Sequence, residues 1–149
     1  MSASTIYRYF GTKEGLVFRD EFDDQLREAF SRALAEGTPL LDAAFAALGE
    51  VMAGHFVEDR ELTRVRMELW QGHRGVQAAA AAHLMQLCEE LAQEVADAGL
   101  VPMAEARVVM SGLVHAFIGA ILSWHADGGE GDPEGYLLRG LEVLKRELG

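Results

Sequence analysis

An all-α fold is predicted for this chain by three features of its sequence. Alanine, leucine, glutamate, valine and methionine are well represented, threonine and isoleucine are sparse, and only three prolines occur in 149 residues, a usage that favours helix over strand. Apolar residues return at three- and four-residue steps through one segment after another. No stretch alternates apolar and polar residues with the period of two that a half-buried strand requires.

Each element can be justified in order. Thr12 is a good N-cap for a helix running to about Glu36, with Leu16, Phe18, Phe22, Leu26, Ala29, Phe30 and Ala33 along one stripe. Gly37 stands where a left-handed residue ends that helix. Thr38-Pro39 supplies an N-cap and a first helical proline for the next, which carries Leu41, Ala44, Phe45, Leu48, Val51, Met52 and Phe56. A third amphipathic run, from about Asp59 to Gln71, presents Leu62, Val65, Met67, Leu69 and Trp70. Gly72 and Gly75 bracket a break. Val76 to Ala98 then reads as one long helix with Leu84, Leu87, Leu91 and Val95 on one side and Gly99 at its end.

Pro102 opens a helix of different character, in which the nineteen residues from Val108 to Ala126 include no Asp, Glu, Lys or Arg. That length would admit a membrane span. His115, His125, Ser111 and Ser123 interrupt it and no basic flank sets a topology, so a central helix buried on most of its circumference is expected instead. After the glycine-rich loop Asp127–Gly131, Asp132-Pro133-Glu134 starts a last helix with Leu137, Leu141, Leu144 and Leu148 in a narrow seam.

Charge narrows the function classes. Thirteen Lys and Arg against 24 Asp and Glu give a net charge of −11, so nucleic acid would have to be met by a local surface and not by the overall field. Residues 1–19 hold Arg8, Lys13 and Arg19 against Glu14, a net of +2, while the remainder is strongly acidic. A single cysteine, Cys88, excludes an internal disulfide framework, and no signal peptide is evident, so a cytoplasmic protein with no membrane partner is expected.

Catalytic chemistry finds no footing in the sequence. The five histidines, at 55, 73, 83, 115 and 125, form no metal-binding helical motif, and no phosphate loop, dinucleotide fingerprint or nucleophile elbow occurs. The expectation is a protein that is not an enzyme, without catalytic residues, metal ligands or cofactor.

The informative segment is Ser2–Leu16. Ser2 can cap a two-turn helix whose inward face is Ile6 and Phe10, leaving Ala3, Ser4, Tyr7 and Arg8 opposite and Thr5 and Tyr9 at the edges. Small residues, hydroxyls, phenols and one cation suit a major groove and its flanking phosphates. Thr12-Lys13 then opens a helix whose N-terminal N–H groups and ammonium favour another phosphate.

This segment resembles the recognition helix and following helix of the TetR family of bacterial transcriptional regulators. Ser2, Thr5, Ile6, Tyr7, Tyr9, Phe10, Lys13, Glu14 and Leu16 all fit the family pattern, nine of fifteen positions at fixed spacing. The resemblance implies a partial N-terminal helix-turn-helix in residues 1–20 and an all-α effector-binding and dimerisation domain in 21–149. It implies backbone contacts to operator DNA from Thr5, Tyr7, Tyr9 and Lys13, base-edge contacts from Ala3, Ser4 and Arg8, and a homodimer built on the last two helices. The family has two helices before its recognition helix, and Met1 falls at the turn after them. A late start, a fragment and a short product are all compatible with that. The first dozen residues are therefore expected to be mobile or packed differently from an intact domain, with weak or no DNA binding by this chain.

Candidate lining for an apolar small-molecule effector is Phe45, Met52, Phe56, Met67, Trp70, Met85, Met110, His115 and Phe117, since aromatic and methionine side chains make adaptable apolar walls. The candidate dimer face comprises Gly112, Ala116, Gly119 and Ser123, small residues that admit a close helix, with Leu137, Leu141, Leu144 and Leu148. The expected function is a ligand-responsive DNA-binding repressor. The alternative is a dimeric helical ligand-binding or interaction module with no role on DNA.

Overall fold

The structure is a computed structural model and describes residues 21–53, 56 and 58–148. Among them are six helices and no strand, as an all-α fold requires: α1 Glu21–Ala35, α2 Leu40–Ala53, α3 Arg60–Gly72, α4 Arg74–Asp97, α5 Met103–Ala126 and α6 Glu134–Leu148.

Local chemistry sets the ends. Gly37, at φ +80°, closes α1: its N–H donates to Leu34 O at 3.0 Å and that of Thr38 to Ala33 O at 3.0 Å, the paired bonds of a Schellman turn. Gly99 repeats the device after α4, with φ +71° and its N–H on Ala96 O at 2.9 Å. Pro39 supplies the first helical acceptor of α2, to Ala43 N at 2.9 Å, so the cap falls one residue later than Thr38. The break before α4 is confined to His73, whose extended backbone (φ −129°, ψ 118°) separates α3 from α4, and Gly75 continues the helix. At α6, Glu134 N donates to Asp132 Oδ1 at 2.9 Å, a side-chain cap that satisfies one of the helix's open donors.

The helices pack as antiparallel pairs, α1 on α2 and α4 on α5, with α6 against α5 and α3 against α4 and α5. Two apolar cores result. The larger joins Ala29, Phe30 and Leu34 of α1 to Ala43 and Ala47 of α2, Leu87, Leu91 and Val95 of α4, and Ala106 and Met110 of α5. The smaller gathers Met52, Phe56, Met67, Ile121 and Trp124. Trp124 is wholly buried and meets Phe56 edge to face, with ring centroids 5.0 Å apart.

Three expectations are corrected here. On α3 the inward residues are Thr63 and Met67, while Leu62 and Val65 are exposed, so the buried face is rotated by a fraction of a turn. Helix α5 is not buried on most of its circumference: Ala106, Met110, Ala120, Ile121 and Trp124 point inward, but Val108 is 74% exposed and Gly112, His115, Gly119 and Ser123 also lie open. By length and composition this helix alone among the described ones could cross a membrane, a test that core helices of soluble proteins also pass. Leu137 is 4% exposed and belongs to the interior, so it does not contribute to an open seam on α6, where Leu138 and Val143 are the exposed apolar residues.

Candidate functional site

Between the two cores lies a cavity of about 160 Å³. Every helix but α6 contributes to its wall. From α1 come Asp23, Leu26 and Phe30, from α2 Leu48 and Val51, and from α3 Thr63, Arg66, Met67 and Trp70. Helix α4 adds His83, Leu84, Leu87 and Leu91, and α5 adds Met110, Val114, Phe117 and Ile121. The spacing explains the wall, since residues three and four apart on each helix turn the same way. Among the described residues of the wall, all are apolar except Asp23, Thr63, Arg66 and His83.

Of the nine residues expected to line an effector pocket, five line this cavity: Phe56, Met67, Trp70, Met110 and Phe117. Four do not. Met85 is 73% exposed on the outside of α4. His115 is exposed, and its Nδ1 sits 2.8 Å from Ser111 O one turn earlier. Met52 is buried in the smaller core away from the cavity, and Phe45 is half-buried beside Ala44, the residue of that turn that reaches the wall. Each error of phase has the same origin: one residue along a helix rotates the side chain by about 100°, enough to leave the inward stripe.

Asp23 and His83 were not anticipated, yet the sequence carried a signal for both. Asp23 precedes Leu26 and Phe30 at three- and four-residue steps, and His83 precedes Leu87 and Leu91 at four-residue steps, so each polar residue stands on an apolar stripe. In space Asp23 Oδ2 lies 2.9 Å from His83 Nε2. Neither atom is accessible, and the contact is close without the alignment of a regular hydrogen bond.

This pair is the first rung of a polar ladder between α1 and α4. One turn along, Arg27 donates to Glu94 Oε1 from Nε at 3.0 Å and from Nη2 at 2.9 Å, and its Nη1 lies 3.1 Å from Glu90. Another turn along, Ser31 Oγ donates to Glu94 Oε2 at 2.6 Å. The hydrogen bond to Glu94 holds the Arg27 guanidinium pKa above its ordinary value, against the opposing cost of burial. Helix α1 is thus fixed to α2 by apolar packing and to α4 by polar contacts running beside the cavity.

Elsewhere the electrostatics are local. Arg107 of α5 grips Glu89 of α4 at 2.6 Å and lowers its carboxyl pKa. Cys88 is buried, and that burial raises its thiol pKa despite a hydrogen bond from Ser111. No group of metal-ligating side chains occurs among the described residues.

On the expected dimer face, Gly112, Gly119 and Ser123 are exposed on α5, Ala116 is half-buried, and Leu141 is half-buried on α6. A Cβ placed on Gly112 or Gly119 would meet nothing within 4 Å. The side chains of Leu144 and Leu148 lie outside the described residues, as do all of Ala3, Ser4, Thr5, Tyr7, Arg8, Tyr9 and Lys13. Compared with protein-family models, curated proteins and solved structures, the chain matches none.

Proposed function

We propose that this chain is the effector-binding and dimerisation part of a TetR-like, ligand-responsive transcriptional regulator acting in the cytoplasm, with Ser2–Leu16 its DNA-reading segment. What carries the reading is a continuity. Helix α1 begins after the four residues 17–20 that follow Ser2–Leu16 in the chain, and it supplies Asp23, Leu26 and Phe30 to the cavity wall. A small molecule in the cavity would press on the same helix that leads to the DNA-reading segment. Switching follows if the molecule binds one setting of α1 against α4 more tightly than another.

The open face of α5 completes the proposal. Two reading segments must match half-sites about one helical turn apart, ~34–36 Å, which requires a second copy. Exposed Val108, Gly112, Gly119 and Ser123 form a stripe on which another helix can lie closely. Ser111, His115 and Ser123 make a partner helix a better neighbour for this face than lipid.

The test is fluorescence anisotropy on DNA from upstream of the chain's own gene, using protein expressed from the complete reading frame, over a series of salt concentrations. Binding that exceeds that to scrambled DNA and weakens steeply with salt is the expected result. A protein that dimerises but ignores that DNA at every salt concentration would favour a helical ligand-binding module instead.

A further inference from the structure

We infer that the cavity selects a small, uncharged, ring-sized molecule bearing one hydrogen-bond donor, such as a phenolic hydroxyl, and directs that donor to Asp23 Oδ2. The inference rests on the cavity being a ligand site, as proposed above, and is independent of DNA binding.

Size comes first. A cavity of about 160 Å³ is close to the roughly 150 Å³ that accommodates a single benzene in an apolar protein interior. A fused polycyclic molecule exceeds it unless the helices part.

Charge comes second. Of the four polar residues in the described wall, Asp23 and Arg66 carry formal charges of opposite sign. The remaining lining is aliphatic, aromatic or thioether. A ligand ion would leave water for a space whose described wall is mostly apolar, which is unfavourable.

The donor comes third. Asp23 Oδ2 has no exposed surface and accepts no hydrogen bond of regular geometry, its approach to His83 being misaligned. A buried carboxylate oxygen in that condition is unusual in a folded protein and is satisfied by a donor brought to it. A hydroxyl on an otherwise apolar ring supplies that donor and leaves the rest of the ligand to the apolar wall. A benzene-like ligand of the same shape fills the volume but leaves the oxygen unmet.

The experiment is calorimetric titration of the protein with benzene, phenol, benzoate and benzylammonium at neutral pH. The methyl resonances of Met67 and Met110, both in the wall, report where each probe sits. Phenol is expected to bind about ten-fold more tightly than benzene and to shift both methyl signals, with benzoate and benzylammonium weaker than either. In Asp23→Leu, a change that keeps the branching and the number of non-hydrogen atoms, phenol's advantage over benzene should disappear. The ranking of the four probes on the unaltered protein stands even if that variant fails to fold. Equal binding of benzene and phenol would overturn the donor and leave the cavity a ligand site. Tightest binding of benzylammonium would overturn the requirement for an uncharged ligand. If none of the four bound or moved the methionine signals, the ligand-site reading itself would fall.

Discussion

At the residue scale, Trp124 shows how much one side chain of α5 holds. It is fully buried, stacks edge to face on Phe56, and donates from Nε1 to Gly131 O at 3.3 Å, tying the smaller core to the loop before α6. Trp124→Ala would remove the ring and leave a cavity, at a cost of about 3–5 kcal/mol. Against a total stability of about 5–15 kcal/mol that is a large fraction. Trp124→Phe keeps an aromatic neighbour for Phe56 and loses chiefly the indole N–H, so it should cost less than half as much. Urea denaturation of the two variants checks the order, and equal losses would show that the ring contact contributes little. Single residues were also where the sequence was least legible. Phe56, Met67, Trp70, Met110 and Phe117 were found because large apolar residues at helical spacing seldom point to water. Met85 and His115 were misplaced by one position each, since composition does not fix the phase of a helix against its neighbours. Leu84 and Val114, their adjacent residues, do line the cavity. Asp23 and His83 escaped because polar residues are expected outside; only their place on an apolar stripe marked them.

At the element scale, α1 has two unlike attachments. Ala29, Phe30 and Leu34 bury it against α2 and the main core, whereas Asp23, Arg27 and Ser31 meet α4 through ions and hydroxyl. Apolar packing tolerates small sliding, but a charge-assisted hydrogen bond demands register. Glu94 is the centre of the ladder, accepting from both Arg27 and Ser31, and its side chain is only 19% exposed. Glu94→Ala should therefore destabilise the fold by about 1–2 kcal/mol, below the value for a fully buried charged bond because Arg27 remains partly in water. The same variant should increase hydrogen exchange in α1 more than in α6, which takes no part in the ladder. Uniform acceleration throughout the chain would show that the ladder stabilises the whole fold and does not specifically fix α1. Helix existence and order were legible at this scale because glycine and proline punctuate the chain. Of the described helix ends, some were displaced by a residue or two, as with Pro39 in place of Thr38 and Arg74 in place of Val76, while the expected start at Thr12 lies outside the described residues. The partners of each helix were not legible, because Arg27 and Glu94 lie 67 positions apart and no local pattern pairs them.

At the scale of the whole molecule, α5 poses the question of what covers its outer face. The helix was expected to be enclosed by its own chain, and an uncharged run of such length is seldom left in water. Instead Val108, Gly112, Gly119 and Ser123 lie open, and the two glycines sit in mid-helix, where each costs about 0.5–1 kcal/mol relative to alanine. Nothing among the described residues explains them, since an added Cβ at either position has no described neighbour within 4 Å. A second copy would explain them, because glycine lets two helix backbones approach where a methyl group would hold them apart. The two situations predict opposite signs. If the chain is monomeric, Gly112→Ala and Gly119→Ala should each raise stability by about 0.5–1 kcal/mol through helix propensity alone, with no change in mass in solution. If α5 pairs with its counterpart, the same methyl groups should weaken the dimer, visible as a higher dissociation constant in sedimentation equilibrium and a lower melting temperature at a given protein concentration. We expect the second result, with Gly112→Ala and Gly119→Ala combined weakening the dimer more than either alone. A monomeric, stabilised double variant derived from a monomeric parent would leave α5 without a second copy and remove the symmetric half of the proposed regulator.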